Sequence, residues 1–278
     1  MSARYYAFAG TFTTAGTSPD GDTIRFRPDH RRNLAALAGS DRLQWSKQRT
    51  VQVRLEGVDA PELHYEGARQ RRSAAARTRL LQLLGLSRVE LYADWVQSTG
   101  EQRGWIVSRS VDVRGRVIGF AYRTLDRAED GPIGLDVATL GHSANAAMLA
   151  CGAAYPLAYA SLEADVRRQL FAIAGAARDA RRGVWSGDAT RRFALRGPGS
   201  IGARGALVFP KLFRRCVSFF GEAGGGARDF LAWLRAGPEH DDLVEIGRRR
   251  VRLSDLLSAR RGMVRVGVDP FGLLFVPR

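Results

Sequence analysis

The sequence predicts a mainly β fold with added helices: a small five-stranded barrel with helices packed on it, then a smaller α+β module. Three observations carry this. Short segments that alternate apolar and polar, or are rich in aromatic and β-branched residues, recur through the first half of the chain. Helical periodicity before residue 186 is confined to a few segments, as expected for helices packed on a barrel. After Trp185 the composition shifts, and Gly187 through Gly205 is rich in Gly, Arg and Ser. The expected organisation is therefore a domain over 1–188, a linker over 189–205, and a basic accessory α+β module over 206–278.

Residues 4–14 are aromatic and β-branched and read as the first strand. Ser18-Pro-Asp-Gly21 is a turn signal, and Asp22 to Arg27 reads as the second strand. Asp29 to Lys47 is a polar excursion. Residues 49–58 form the third strand, with Val51, Val53 and Leu55 alternating with Gln52, Arg54 and Glu56. Glu66 to Leu84 reads as a helix closed by Gly85. Arg88 to Ala93 is expected as the fourth strand. Asp112 to Arg116 is a charged turn, and Val117 to Tyr122 is the fifth strand. Ala144 to Leu149 and Leu162 to Arg182 are helical, with Leu162, Val166, Leu170 and Ile173 on one face of the second. Beyond the linker, a helix is expected at Arg228–Arg235. Short strands are expected at 243–246, 250–253, 263–268 and 273–276.

The 278 residues carry a formal net charge of +15, which implies an anionic partner, nucleic acid or an anionic membrane surface. Residues from 186 onward hold 17 Lys and Arg against 9 Asp and Glu, so the basic character extends to the end of the chain. Cys151 and Cys216 make no disulfide framework and are expected as buried thiols. The four histidines have no zinc spacing. The uncharged run Val137–Leu162 is alanine-rich and broken by Gly, His, Asn and Pro, so it reads as a buried helix and its exit, not a membrane span. With no apolar run fit for a signal peptide, a cytoplasmic protein is the default expectation.

The most informative stretch is Val51 to Glu62. A strand delivers Arg54, then Asp59 and Glu62 in Asp-Ala-Pro-Glu, where Pro61 removes a backbone donor and makes Ala60 extended. One reading is a strand that runs into a polar surface turn. The other is a grip on a phosphate and an oxygen-ligated metal. Arg54 and Asp59 are five apart, so a regular strand sends them to opposite faces. If they cooperate, the strand has to bend or bulge near Gly57.

Asp20-Gly-Asp-Thr23, Val53 to Glu62, Asp112 to Arg116 and Gly183-Val-Trp185 follow in order. In that order and spacing the chain resembles staphylococcal-nuclease-like (thermonuclease) domains over roughly residues 4–186. Arg54-x₄-Asp59-x-Pro61-Glu62 is the most specific element. The resemblance implies a five-stranded OB-type barrel with three helices, and a Ca²⁺-dependent nuclease acting on DNA and perhaps RNA to leave 3′-phosphate ends. It implies Asp22, Asp59 and the backbone carbonyl of Ala60 as Ca²⁺ ligands, Glu62 as general base, and Arg54 and Arg116 as the phosphate-binding arginines. Hard oxygen donors suit Ca²⁺, and planar guanidinium forks suit phosphate. Where the family often carries an aromatic residue, two before the second arginine, this chain has Arg114. Tyr155 and Tyr159 lie near the family's nucleotide-contacting tyrosines, Tyr159 being the better match. The alternative is a non-catalytic nucleic-acid-binding or scaffold module of the same fold.

Overall fold

A computed structural model describes residues 4–15, 17–86, 89–91, 96–98 and 101–277, with 89–91 and 96–98 described as backbone alone. In chain order the strands up to residue 160 are β1 Tyr5–Thr13, β2 Thr23–Pro28, β3 Val51–Leu55, β4 Val58–Asp59, β5 Val89–Leu91, β6 Val96–Ser98, β7 Gln102–Val111, β8 Val117–Tyr122, β9 Gly131–Ile133, β10 Tyr155–Pro156 and β11 Ala158–Tyr159. They are followed by β12 Arg192–Ala194, β13 Leu243–Ile246, β14 Arg249–Arg252, β15 Leu257–Arg260, β16 Met263–Val266 and β17 Leu274–Phe275. The helices are α1 Ser73–Leu83, α2 Val137–Gly141, α3 Ala144–Ala150, α4 Ala164–Asp179, α5 Pro210–Glu222 and α6 Ala227–Ala236. The chain divides into two compact units. One comprises residues 1–56 and 76–148, the other 57–75 and 149–278.

The first unit is a closed five-stranded barrel. Its strands run β1-β2-β3-β8-β7 and return to β1, all neighbours antiparallel except β3 and β8. Closure leaves no open edge among these five strands. Alternation places Phe8, Phe12, Ile24, Phe26, Val51, Val53, Leu55, Ile106 and Phe120 in the core. Phe12 and Phe26 pack with ring centroids 5.1 Å apart. Buried Asn145 ties β8 to the end of β3: its Nδ2 donates to the carbonyls of Gly119 and of Glu56, the residue after β3, and its Oδ1 accepts from the Ala121 amide.

The fourth barrel strand is β7, not 88–93. Residues 88, 92 and 93 of the expected strand lie outside the described residues, and β5 pairs with β6 in a separate ribbon. β7 escapes a pattern search because buried Gly104 and Ser108 interrupt its apolar face. Each has a role that only the fold shows. Ser108 Oγ donates to the Ile118 carbonyl at 2.7 Å beside a register shift between Ser108 and Ser110. Gly104 lets two neighbours approach: a Cβ there would lie 2.4 Å from Phe12 Cε2 and 2.5 Å from the Tyr122 carbonyl oxygen. Gly104→Ala is therefore expected to lower stability by roughly 1–3 kcal/mol through overpacking. Urea unfolding checks this, and an unchanged midpoint would contradict it.

The second unit has one core built from distant parts of the chain. Tyr155, Leu157 and Val184 bury together with Phe193, Leu195, Ile201, Phe213, Phe219, Phe230, Val244 and Phe275. Residues 189–205, expected as linker, contribute β12, which pairs with β16, and bury Phe193, Leu195 and Ile201. The expected late strands fall within a residue or two of β13, β14, β16 and β17, and the expected helix is α6; neither β15 nor the helix α5 is among the expected elements. The run over residues 137–162 folds as α2, α3 and two short strands. Among the described residues no helix is long and apolar enough to cross a membrane. Cys216 is buried as expected, whereas Cys151 is half-buried.

The helix expected from Glu66 begins only at Ser73. Glu66, Gly67 and Arg72 all have positive φ, and Tyr65 and Ala68 exchange backbone hydrogen bonds. A right-handed helix cannot pass through such residues.

Candidate functional site

The sequence-predicted residues fall in both units, and each set has its own geometry. In the barrel, Asp22 immediately precedes β2, and the β2–β3 ladder sets Thr23 opposite Arg54. The Leu55 amide donates to the Asp22 carbonyl at 2.8 Å. This register brings Arg54 and Asp22 together: Arg54 Nη1 donates to Asp22 Oδ1, which also accepts from Thr23 Oγ1 at 3.1 Å. Both side chains are largely buried, so the ion pair is charge-assisted and poorly screened.

Arg116 ends the β7–β8 turn, where Gly115 takes φ +76°. Asp112 organises that turn. Its Oδ1 accepts from the Arg114 and Arg116 amides, both at 2.9 Å, and its Oδ2 accepts from Arg116 Nε at 2.9 Å and Nη2 at 2.7 Å. The Arg116 fork is thereby aimed by a carboxylate on its own turn, and Arg114 stands exposed beside it. The excursion over 29–47 folds back on this turn. The Gln44 amide donates to the Gly115 carbonyl, and Arg42 Nη2 to the Val111 carbonyl.

The expected break in the strand is present. β3 ends at Leu55, Gly57 has φ +77°, and β4 resumes at Val58. Gly57 also packs tightly: a Cβ there would lie 2.3 Å from Leu170 Cδ1.

In the second unit β4 pairs with β10, setting Tyr155 opposite Asp59. Asp59 and Ala60 are buried, and Glu62 follows after Pro61. The loop carrying Glu62 is fixed by Gln70. The Glu62 amide donates to Gln70 Oε1 at 3.0 Å, the Gln70 amide donates to the Glu62 carbonyl at 2.7 Å, and Gln70 Nε2 donates to the Val208 carbonyl at 2.7 Å. Gln70→Ala leaves buried backbone groups unpaired and is expected to cost about 1–3 kcal/mol. Comparing guanidinium unfolding of the two proteins tests this, and equal stability would refute it.

The decisive partner comes from α5. Arg214 donates from Nη1 to Asp59 Oδ1 at 3.1 Å, from Nη2 to Asp59 Oδ2 at 3.2 Å, and from Nη1 to Glu62 Oε1. The Asp59 side chain is 0% exposed, Glu62 11% and Arg214 19%. Burial alone would lower the Arg214 pKa, but the Asp59 and Glu62 carboxylates outweigh it and hold the guanidinium charged. Arg214 is 155 residues from Asp59 and 152 from Glu62, and no motif spacing marks it. Its one signal is a basic residue set among Leu212, Phe213, Cys216 and Phe219 on an amphipathic helix.

Tyr155 is a core residue. Its hydroxyl donates to Asp188 Oδ1 at 3.0 Å, and burial, then Asp188, push its pKa well up. Tyr159 is 36% exposed, and Lys211 Nζ lies 5.4 Å from its ring centroid. Of the two tyrosines, only Tyr159 offers a ring to a ligand.

The calcium set can be tested against these contacts. Ca²⁺ takes six to eight oxygens at about 2.3–2.6 Å. Both Asp59 oxygens face guanidinium nitrogens, Glu62 is engaged by the same guanidinium, and Asp22 accepts from Arg54. Among the described residues no three His, Cys, Asp or Glu side chains are grouped as a metal site. A divalent ion on Asp59 would stand against the fixed positive charge of Arg214. The donor set, as it is paired here, does not fit calcium.

No protein-family model matches the chain, and a comparison with curated proteins finds no match.

Proposed function

We propose that this protein hydrolyses phosphodiester bonds in DNA or RNA. The observation that carries the reading is the joint occurrence of Asp22, Arg54, Asp59, Glu62 and Arg116, in family order and spacing, in a chain with a closed five-stranded barrel. Arg54 and Arg116 bind the phosphate. Their forks stay charged at any working pH and oppose the negative charge that grows on the non-bridging oxygens. Asp22 and Asp112 aim those forks. Glu62 accepts a proton from the attacking water, which adds to phosphorus as the bond to the 5′ oxygen breaks. The net charge of +15 draws the polyanion in.

A gel assay on labelled DNA and RNA, with Ca²⁺ and with chelator, tests this. Cleavage in either condition supports the reading, and intact substrate in both, from protein shown to be folded, ends it. The contact of Arg214 with both Asp59 and Glu62 favours a second reading, a nucleic-acid-binding module without catalysis. Salt-sensitive binding with no cleavage is the outcome that selects it.

A further inference from the structure

We propose that Arg214 supplies a cation from the chain itself at Asp59 and Glu62, taking the place of a divalent metal there and excluding one. This rests on the preceding reading only for which residues matter; the contacts stand by themselves.

Three observations support it. First, the guanidinium uses both terminal nitrogens on Asp59 and shares one with Glu62, the fork geometry that suits a carboxylate best. Second, Arg214 is not a side chain that happened to settle there, because its helix is tied on two sides. One turn further on, Ser218 Oγ hydrogen-bonds Tyr65 Oη at 3.1 Å and donates to Glu66, on the same segment as Glu62. On the other side Arg215 donates to both oxygens of Asp242 at 2.9 Å, and Lys211 Nζ lies 3.2 Å from Asp242 Oδ1. Third, the Asp59 side chain has no exposed surface and Arg214 holds both of its oxygens, so an ion has to displace Arg214 to use both.

The test is direct metal binding. Thermal unfolding of the full chain is followed with 0 to several millimolar CaCl₂, MgCl₂ or MnCl₂ at constant ionic strength, beside calorimetric titration. Wild type is expected to show no metal-dependent rise in Tm and no saturable heat. Arg214→Met is expected to gain a Ca²⁺-dependent rise, and Asp59→Asn in the same background is expected to abolish it. Arg214→Lys, which keeps a charge but loses the fork, supplies the comparison if Arg214→Met does not fold, with a smaller gain expected. Saturable Ca²⁺ binding by wild type overturns the proposal, as does an Arg214 variant that folds and gains nothing. These readouts need no cleavage. A chain that cuts nothing but behaves as expected here removes the hydrolase reading alone. A chain that cuts only when it binds Ca²⁺ removes this proposal alone.

Discussion

Glu62→Gln is expected to slow phosphodiester cleavage by roughly 10²–10⁴-fold while leaving nucleic-acid affinity within about twofold, as removal of a general base requires. The amide keeps the size of the side chain and its ability to accept a hydrogen bond from Arg214, but it cannot take a proton from water. The loop backbone is held by Gln70 through the Glu62 amide and carbonyl, which the substitution leaves in place. Single-turnover cleavage and fluorescence anisotropy on one labelled oligonucleotide separate the two effects. Unchanged cleavage would remove Glu62 from the chemistry. Equal loss of binding and cleavage would make it a substrate contact instead.

Arg214→Leu is expected to be the most destabilising single change at the site, by roughly 3–5 kcal/mol, because it takes one partner from a buried ion pair and keeps the other. Asp59 has no exposed side-chain surface, so water cannot replace the guanidinium without local opening. The sign reverses for a paired change. Asp59→Asn with Glu62→Gln and Arg214→Leu removes the charges together, and is expected to recover much of the loss. Chemical denaturation of the single and triple variants measures both quantities. A single variant within about 0.5 kcal/mol of wild type, the range of an ordinary surface change, would mean that the contact contributes little.

How much of this could be read from residues alone follows from the distance over which each feature is determined. β1, β2, β3 and β8 were legible because their alternation is local, and the Arg54–Asp22 contact follows from an adjacent hairpin register. The break at Gly57 was legible from the condition that Arg54 and Asp59 cooperate, because side chains five apart lie on opposite faces of a regular strand. β7 was not, because its small and polar residues are chosen by neighbours: Gly104 by the Phe12 ring, Ser108 by the Ile118 carbonyl. The start of α1 was missed because the positive φ at Glu66 and Arg72 leaves no mark in composition. Arg214 and Gln70 are selected by contacts across 152 and 138 residues of chain, and no periodicity encodes those. The same holds for the core of the second unit, which gathers Tyr155, Phe193 and Phe275 from segments that read as separate.

The proposed reaction is hydrolysis at phosphorus with departure of the 5′ oxygen. Cleavage of a defined oligonucleotide in ¹⁸O-water, with the products weighed by mass spectrometry, tests it most directly. The expected products are fragments ending in a 3′-phosphate that carries one solvent oxygen, paired with fragments that begin with a 5′-hydroxyl. Products bearing a 5′-phosphate, or no products from folded wild-type protein under any metal condition, would contradict it.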